Sequence, residues 1–233
     1  MVEHTKVLSV TRRKLPVPVP VYDVSVPGYE NFVLASRHVV HNSAKQARDP
    51  SYQEILPLRG KIVNALRNAP AKTMASEEIQ NLIAVLGFSP QDADPYKTLR
   101  VGRVISLVDP DPDGGHIESL IFTFIYKFLP GLYKRGMVYA VVSPEYVAFD
   151  KDGNVVARAA SKDKIHALAP KGSNIKHIKG WGEMDVDPLT TLAMNPKTRR
   201  LVRIMPVQGS EGKEFKLLMG DDVSYRKAFL GVN

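Results

Sequence analysis

The first 42 residues have a hydrophobic pattern that differs from the rest of the chain. Prolines and valines alternate over 16–21, and more β-branched residues follow on both sides of Pro27 and Gly28. Proline excludes helix and β-branched residues favour strands, so this stretch predicts a small all-β segment. From Ser43 onward, patterns typical of helices alternate with patterns typical of strands.

A helix is predicted between Ser76, a candidate N-cap, and Gly87, a candidate stop signal. The apolar positions between them share one helical face: Ile79, Leu82, Ile83 and Leu86. Further on, buried strands are predicted at 103–108 and 138–142, with an amphipathic helix over 117–128 between them. Strand, helix and strand in this order imply a parallel crossover and an α/β sheet. A hairpin is predicted over 149–156, around Asp152 and Gly153.

Composition narrows the class of protein. The 233 residues include 32 lysines and arginines against 24 aspartates and glutamates, a net charge of +8 that favours polyanionic partners such as nucleic acid. The absence of cysteine excludes a disulfide scaffold, iron–sulfur clusters and thiol catalysis. No apolar run reaches the roughly 18 residues of a membrane span. We therefore expect no membrane partner and a cytoplasmic protein associated with DNA.

An acidic loop follows the first predicted strand. Asp109, Asp111 and Asp113 fall within five residues, at the edge of an α/β sheet where ligands bind. Carboxylates this close repel one another unless a cation neutralises them, and Mg²⁺ prefers oxygen ligands. A solvated acidic turn that caps the helix through Asp113 fits the same residues. A calcium-binding EF-hand does not, because its twelfth loop position holds Leu120 and a strand pattern precedes the loop.

Three stretches, 43–49 (SAKQARD), 55–62 (ILPLRGKI) with Asn64, and 109–117 (DPDPDGGHI), resemble the TOPRIM region of type IIA topoisomerase B subunits, the family of gyrase and topoisomerase IV. Stretches 179–184, 196–201 and 218–222 are similar to the C-terminal motifs of the same subunit. The resemblance implies a TOPRIM-like parallel sheet with flanking helices over 43–146 and a C-terminal tail region over 147–233. It also implies an enzyme that passes one DNA duplex through a transient break in another, driven by ATP. A nuclease or primase relative is less consistent with the C-terminal motifs.

The resemblance assigns roles to individual residues. It implies that Asp109 bridges metal positions, that Asp111 binds the second Mg²⁺ and that Asp113 supports the loop. Positions that contact double-stranded DNA in the family match Lys61 and Asn64, with Arg59 and His116 as weaker candidates. The nucleophilic tyrosine of this family belongs to the partner A subunit. Trp181 stands where the family has a smaller aliphatic residue, which favours packing over base stacking.

Two family features are missing from the sequence. It has no Glu-Gly-Asp-Ser motif, which carries the first TOPRIM acid in the family, and no ATP-binding domain. The resemblance therefore implies that the sheet lacks its first strand, that one metal ligand is absent, and that an upstream half supplies both together with ATP hydrolysis.

The stretches 21–28 (VYDVSVPG), 31–35 (NFVLA) and 39–42 (VVHN), followed by Ser43, resemble the C-terminal end of an intein occupying 1–42. In that family Ser43 would accept the upstream segment as an ester, Asn42 would cyclise, and His41 would polarise the scissile carbonyl. Because Met1 stands only 42 residues before the junction, we expect a split intein that splices in trans with the upstream half. Glu30 replaces the histidine usual before the Asn-Phe pair. The alternative is an unspliced fragment that binds DNA and the A subunit without activity of its own.

Overall fold

A computed structural model describes residues 31–33, 39–41, 43–58, 60–89, 94, 96–206 and 212–232. Its strands are β1 (Asn31–Val33), β2 (Val39–His41), β3 (Val104–Ser106), β4 (Val138–Val141), β5 (Tyr146–Phe149), β6 (Val155–Ala159), β7 (Asn174–His177) and β8 (Leu201–Arg203). Its helices are α1 (Ser43–Ala47), α2 (Pro70–Met74), α3 (Glu77–Leu86), α4 (Pro112–Phe128), α5 (Pro130–Lys134), α6 (Lys162–Leu168), α7 (Val186–Leu189), α8 (Lys213–Met219) and α9 (Ser224–Leu230). A 3-10 turn (Trp181–Glu183) precedes α7, and a π-helical turn (Thr190–Met194) follows it.

The central sheet has the strand order β3-β4-β8. Strands β3 and β4 are parallel and are joined through α4 and α5, so the predicted crossover is confirmed. The predicted parallel sheet is present in the β3–β4 pair, and β8 adds a strand that pairs with β4 in the antiparallel direction. An antiparallel strand at the edge of a parallel sheet is common in α/β folds. The observed architecture is thus α/β with a mixed sheet.

Strand β8 also connects the two regions that the sequence suggested. It belongs to the predicted tail, 147–233, yet it pairs with β4 of the predicted TOPRIM region. Residues from both regions therefore form one sheet, and the boundary at 146 remains a prediction. The tail adds a second sheet, β6-β5-β7, which is antiparallel. Its β5–β6 hairpin is the one predicted around Gly153.

Helix α3 confirms the predicted helix at 76–87. Its buried face consists of Ile79, Leu82 and Leu86, which pack in the main core with α4 and β4. Gly87 ends the helix with φ 67°, and a Cβ there would lie 2.6 Å from a side-chain carbon of Arg100. Glycine is therefore required at this position by both conformation and space.

A second core lies where the loops after β3 and β4 meet the tail. Val147, Trp181 and Leu192 are buried there, with Leu107 and Val141 packed against them. Leu107 follows directly on β3, so the chain leaves the strand pairing at Ser106 to enter this core. Strand β3 (Val104–Ser106) is thus shorter than the predicted strand at 103–108.

Little of the predicted all-β segment over 1–42 lies within the described residues. Strands β1 and β2 pair antiparallel there, with Asn31 opposite His41. No helix within the described ranges is both long and apolar enough to span a membrane.

Candidate metal centre

The acidic loop joins the carboxyl end of β3 to the start of α4. Asp111 is the N-cap of α4, and its Oδ1 accepts a hydrogen bond of 2.6 Å from the backbone N–H of Gly114. Pro112 follows at the first helical position, where a missing N–H costs nothing. The helix thus starts five residues before the predicted 117. The alternative in which Asp113 caps the helix is wrong, because Asp111 takes that position.

Gly114 allows the helix start to pack directly on the loop. A Cβ at this position would lie 2.2 Å from the backbone carbonyl oxygen of Asp109, a distance that no side chain tolerates. The neighbouring Gly115 has no atom within 4 Å of the same hypothetical Cβ. Only the first of the two glycines is therefore required by space, and it fixes the distance between Asp109 and the N-terminus of α4.

Asp109 is held by the tail rather than by its own loop. Its Oδ1 accepts a hydrogen bond of 2.8 Å from the backbone N–H of Trp181. The indole Nε1 of Trp181 donates in turn to the carbonyl of Val108 at 2.8 Å. A Cβ on Gly180 would lie 3.0 Å from the Asp109 carboxylate. The tail therefore contacts Asp109 through one backbone N–H and one glycine, and it contacts the preceding Val108 through the indole N–H.

Trp181 packs in the second core and is only 5% exposed. The predicted packing role is therefore confirmed, since a buried indole that donates to a backbone carbonyl does not offer a face to a nucleic-acid base. One of its flanking glycines, Gly180, lies against Asp109, a contact that the residue types alone do not predict.

Asp113 pairs with Lys61 from the preceding segment. Lys61 Nζ lies 2.6 Å from Asp113 Oδ1, and both side chains are largely solvent-exposed. The hydrogen bond and the charge of Lys61 lower the pKa of the Asp113 carboxyl, and the charge of His116 lowers it further. His116 is exposed near the start of α4. The loop thus places two basic side chains beside Asp113.

The three aspartates do not form a common ligand set. Within the described residues there is no group of three or more His, Cys, Asp or Glu side chains that could hold a metal ion. Asp109 and Asp111 each use one carboxylate oxygen in a described hydrogen bond to backbone. Mg²⁺ is commonly held by one or two protein carboxylates together with water and substrate phosphate. The donor chemistry of Asp109 and Asp111 fits Mg²⁺, whereas the charge of Asp113 is already balanced by Lys61.

Asn64 lies in a turn that supports the end of α8. Its Oδ1 accepts from the backbone N–H of Leu66 at 3.0 Å, and its Nδ2 donates to the carbonyl of Met219 at 2.8 Å. Arg67 donates to the next carbonyl, that of Gly220. The amide of Asn64 therefore joins the 61–68 segment to the tail, a structural contact that the sequence did not predict.

The remaining predicted site residues are described only in part or not at all. Arg59 and Asn42 lie outside the described residues. The backbone of His41 ends β2 and that of Ser43 begins α1, while their side-chain contacts lie outside what the structure describes. The assignments of metal-binding, DNA-contacting and splicing residues remain predictions.

A further contact inside the crossover unit was also missed. The Ser106 hydroxyl donates to the Glu118 carboxylate, linking the end of β3 to the second turn of α4. Like the contact between Asp109 and Trp181, it joins residues on different elements. No local sequence signal indicates such a pairing.

Comparison with known families identifies the domains around this geometry. Residues 41–141 match the model of the Toprim domain, and residues 170–231 match the model described as DNA gyrase B subunit, carboxyl terminus. The chain therefore carries a Toprim domain that contains the acidic loop, followed by a gyrase-B-type carboxyl-terminal region that contains Trp181.

Relatives that match most of this chain show to which proteins it is related. The chain is 38% identical to the DNA gyrase B subunit of Synechocystis sp. over 218 residues, covering 91% of this chain and 20% of that protein. It is 35% identical to the DNA gyrase B subunit of Thermotoga maritima, covering 81% and 30% respectively. It is 33% identical to the DNA topoisomerase 4 B subunit of Streptococcus pneumoniae, covering 89% and 33%. The chain is homologous to the B subunits of DNA gyrase and topoisomerase IV, which are type IIA topoisomerases, and it spans a fifth to a third of the length of these relatives.

Proposed function

We propose that this chain supplies the Toprim and carboxyl-terminal part of a type II DNA topoisomerase B subunit. The observation that carries the proposal is the hydrogen bond from the Trp181 N–H to Asp109, because it joins the two matched family regions at the predicted metal ligand. In this function Asp109 and Asp111 hold Mg²⁺ during cleavage and religation of double-stranded DNA. When bound, Mg²⁺ stabilises the charge that develops on the phosphoryl group and on the leaving oxygen.

The chain's own residues orient the site. The tail N–H fixes one oxygen of Asp109, and the N-terminus of α4 fixes one oxygen of Asp111. The opposite oxygens are left for the metal. Asp113 supports the loop by binding Lys61. A carboxylate held in place before the metal arrives loses less freedom on binding it, so these contacts pre-organise the site.

DNA contacts belong to the same proposal. Lys61 and His116 are exposed beside the acidic loop, where each can approach a phosphate, and Arg59 precedes Lys61 in the same motif. Asn64 would contact DNA only by exchanging its bond to the Met219 carbonyl for one to the nucleic acid.

Other components complete the enzyme in this proposal. ATP hydrolysis and the glutamate of the first TOPRIM motif come from the upstream half, and the nucleophilic tyrosine comes from the A subunit. The outer edge of β3 has no strand partner among the described residues. A strand from the upstream half can therefore pair there.

The metal assignment is tested in the complex reconstituted from this chain, the upstream half and the A subunit. Asp109→Asn and Asp111→Asn are expected to abolish Mg²⁺-dependent DNA cleavage, whereas Asp113→Asn should retain most of it. The chain contains a single tryptophan, which lies against Asp109, so its fluorescence provides an independent Mg²⁺ titration of the chain alone. Undiminished cleavage by the first two variants contradicts the assignment.

We further propose that Asn42–Ser43 is a splice junction through which the chain joins its upstream half in trans. The Ser43 hydroxyl would accept the upstream acyl group as an ester, giving its proton to the departing group at the start of the intein. The side-chain amide nitrogen of Asn42 would then attack its own carbonyl carbon, with His41 polarising that carbonyl. The Asn42–Ser43 peptide bond breaks, and the freed amino group of Ser43 takes the acyl group from its own oxygen.

Two features of the comparisons support this junction. The Synechocystis match leaves only about 21 residues of this chain uncovered, so it includes at least half of 1–42. This relative is also about 1.7 times as long as the Thermotoga protein, since 218 residues are 20% of the first and 191 residues are 30% of the second, which leaves room for an insertion. The Streptococcus match also extends into 1–42 without such extra length. Coverage of 1–42 alone therefore does not distinguish an intein segment, and the support comes from the Synechocystis relative, which combines this coverage with extra length.

Splicing is tested by intact mass after coexpression with the upstream half. The expected result is a ligated product that begins upstream and continues from Ser43, together with a released fragment of about a fifth of the 25.8 kDa chain. Asn42→Ala should stop release of that fragment. An unchanged chain beside its partner, or release that persists in Asn42→Ala, contradicts the proposal and leaves the unspliced binding fragment as the alternative.

A further inference from the structure

One face of the central sheet carries exposed arginines around a tyrosine. Tyr139 on β4 lies opposite Ile105 on β3 and opposite Arg203 on β8, so these three side chains share a face. Arg103 stands two residues before Ile105 and therefore joins the same face, with its guanidinium 5.6 Å from the centre of the Tyr139 ring. The opposite face is covered, since Val138 and its neighbours pack in the main core.

A third arginine extends this face beyond the start of β8. Arg199 lies two residues before Leu201, which is paired with Val141 on the same face as Tyr139. Its guanidinium donates to the carbonyl of Met194 at 3.1 Å. Burial lowers the pKa of Arg199, and the nearby charge of Arg103 lowers it further.

Two more arginines adjoin it. Arg158 on β6 donates to the carbonyl of Thr198 at 2.5 Å, which places it next to Arg200. Burial and then the charge of Arg200 lower the pKa of Arg158. Within the described part of the chain, ion pairs join Lys61 to Asp113, Arg67 to Asp221 and Arg100 to Glu54, and none involves these five arginines. The three on the face of Tyr139, Arg103, Arg199 and Arg203, are here called the arginine face, and Arg158 and Arg200 form a pair beside it.

The arginine face is a concentration of like charge without a described counter-charge. Positive groups this close repel one another, and an anion placed among them relieves that repulsion. The guanidinium group matches phosphate geometry through paired N–H donors. Tyr139, half-buried between Arg103 and Arg203, adds an aromatic ring beside these donors that sugar and base atoms can contact. These properties fit a nucleic-acid backbone better than a carboxylate-bearing protein surface, which needs no aromatic platform.

We propose that the arginine face binds the phosphate backbone of DNA at a place separate from the acidic loop. Arg103 directly precedes β3 and Asp109 lies three residues beyond its end, so the two residues stand at opposite ends of the strand, at most about 20 Å apart at roughly 3.3 Å per extended residue. The face is thus a second contact on DNA, away from the scissile phosphate. This inference rests on the proposed function, in which DNA is the substrate, and it adds a site to it.

The test is the salt dependence of DNA binding by the full chain. The variant Arg103→Gln/Arg203→Gln removes two exposed charges. Their described contacts are with the Tyr139 ring and the Met205 sulfur, and both are weak interactions. The matched control, Lys151→Gln/Lys171→Gln, removes the same charge from exposed turns of the second sheet. Each phosphate contact contributes about 0.9 to the slope of log K against log salt. The arginine variant should therefore lose about 1.8 from this slope, and the control should keep it.

The outcomes separate the two proposals. Equal slopes for wild type and arginine variant, or the same loss in the control, overturn the arginine face. Far-UV circular dichroism and thermal midpoints equal to wild type must accompany the loss, so that misfolding does not imitate it. If the Asp109→Asn and Asp111→Asn variants cleave DNA normally, while the arginine variant has a smaller slope of log K against log salt, the metal assignment is wrong and the arginine-face proposal is supported. A wild-type chain with no salt-dependent DNA affinity overturns the arginine face, whereas the metal assignment depends on the cleavage test in the reconstituted complex.

Discussion

Gly180→Ala probes the contact between the tail and the acidic loop. Gly180 has an extended backbone (φ −164°), so alanine causes no backbone strain there. The new Cβ would lie 3.0 Å from the Cγ and Oδ1 of Asp109, where nonbonded carbon atoms normally stay about 3.5–4.0 Å apart. The carboxylate must therefore move by roughly half an ångström, which stretches its 2.8 Å bond to the Trp181 N–H.

The expected cost follows from that stretched bond. A hydrogen bond to a charged group contributes about 1.5–3 kcal/mol, and an exposed carboxylate such as Asp109 belongs at the lower end of this range. If the stretched hydrogen bond loses about 1 kcal/mol, the carboxylate is held less firmly in its metal-binding orientation. The affinity for Mg²⁺ should then fall about fivefold. Gly182→Ala is the matched control, because a Cβ at Gly182 has no atom within 4 Å.

The assay is a Mg²⁺ titration followed by the fluorescence of Trp181, the single tryptophan of the chain. Gly180→Ala should shift the midpoint to higher Mg²⁺, and Gly182→Ala should match the wild type. Equal midpoints for all three proteins would refute the reasoning, since the tail would then have no influence on the Asp109 carboxylate. A shift in both variants would mean that the loop itself, not the contact, had changed.

Three further predictions concern stability. Gly114→Ala should lower the thermal midpoint by several degrees, because its Cβ meets the backbone oxygen of Asp109. Gly115→Ala places its Cβ in open space on the helix and should leave the midpoint unchanged or raise it. Equal midpoints for the two variants would contradict the packing of Gly114 on the loop. The pair with Lys61 lowers the pKa of Asp113, so it stabilises the fold above the usual aspartate pKa and is lost as the pH falls through the lowered value. Urea midpoints should therefore fall more steeply below about pH 4 in wild type than in Asp113→Asn, and parallel profiles would exclude the pair. Trp181→Phe removes the indole N–H from a backbone carbonyl and should cost about 1–3 kcal/mol by chemical denaturation, whereas an unchanged free energy of unfolding would show that the bond contributes nothing.

Local patterns in the sequence were sufficient for several elements. The apolar stripe before Gly87 predicts α3 because burial of one face and a left-handed stop are both properties of neighbouring residues. The crossover between β3 and β4 follows from a buried strand, an amphipathic helix and a second buried strand in order. The acidic loop is also placed correctly at the carboxyl end of β3, because the position of a loop after a strand depends only on chain order.

The start of α4 shows where local patterns were ambiguous. Asp111 and Asp113 both precede helical residues and both are capping types, so composition does not choose between them. The choice follows from Gly114, whose missing Cβ lets the helix pack on the Asp109 carbonyl and aligns its N–H with Asp111. That packing is a property of the folded loop and not of the residue types.

Residue type and order were enough to establish the family resemblance, the basic charge, the crossover unit and the position of the three aspartates. What each aspartate contacts depends on packing instead: Asp109 meets the tail, Asp111 the helix N-terminus and Asp113 a lysine. The direction of β8 and the assembly of the arginine face from β8 and the segments before β3 and β8 depend on it as well. These contacts join residues up to about a hundred positions apart, and their partners are set by how sheets and helices pack.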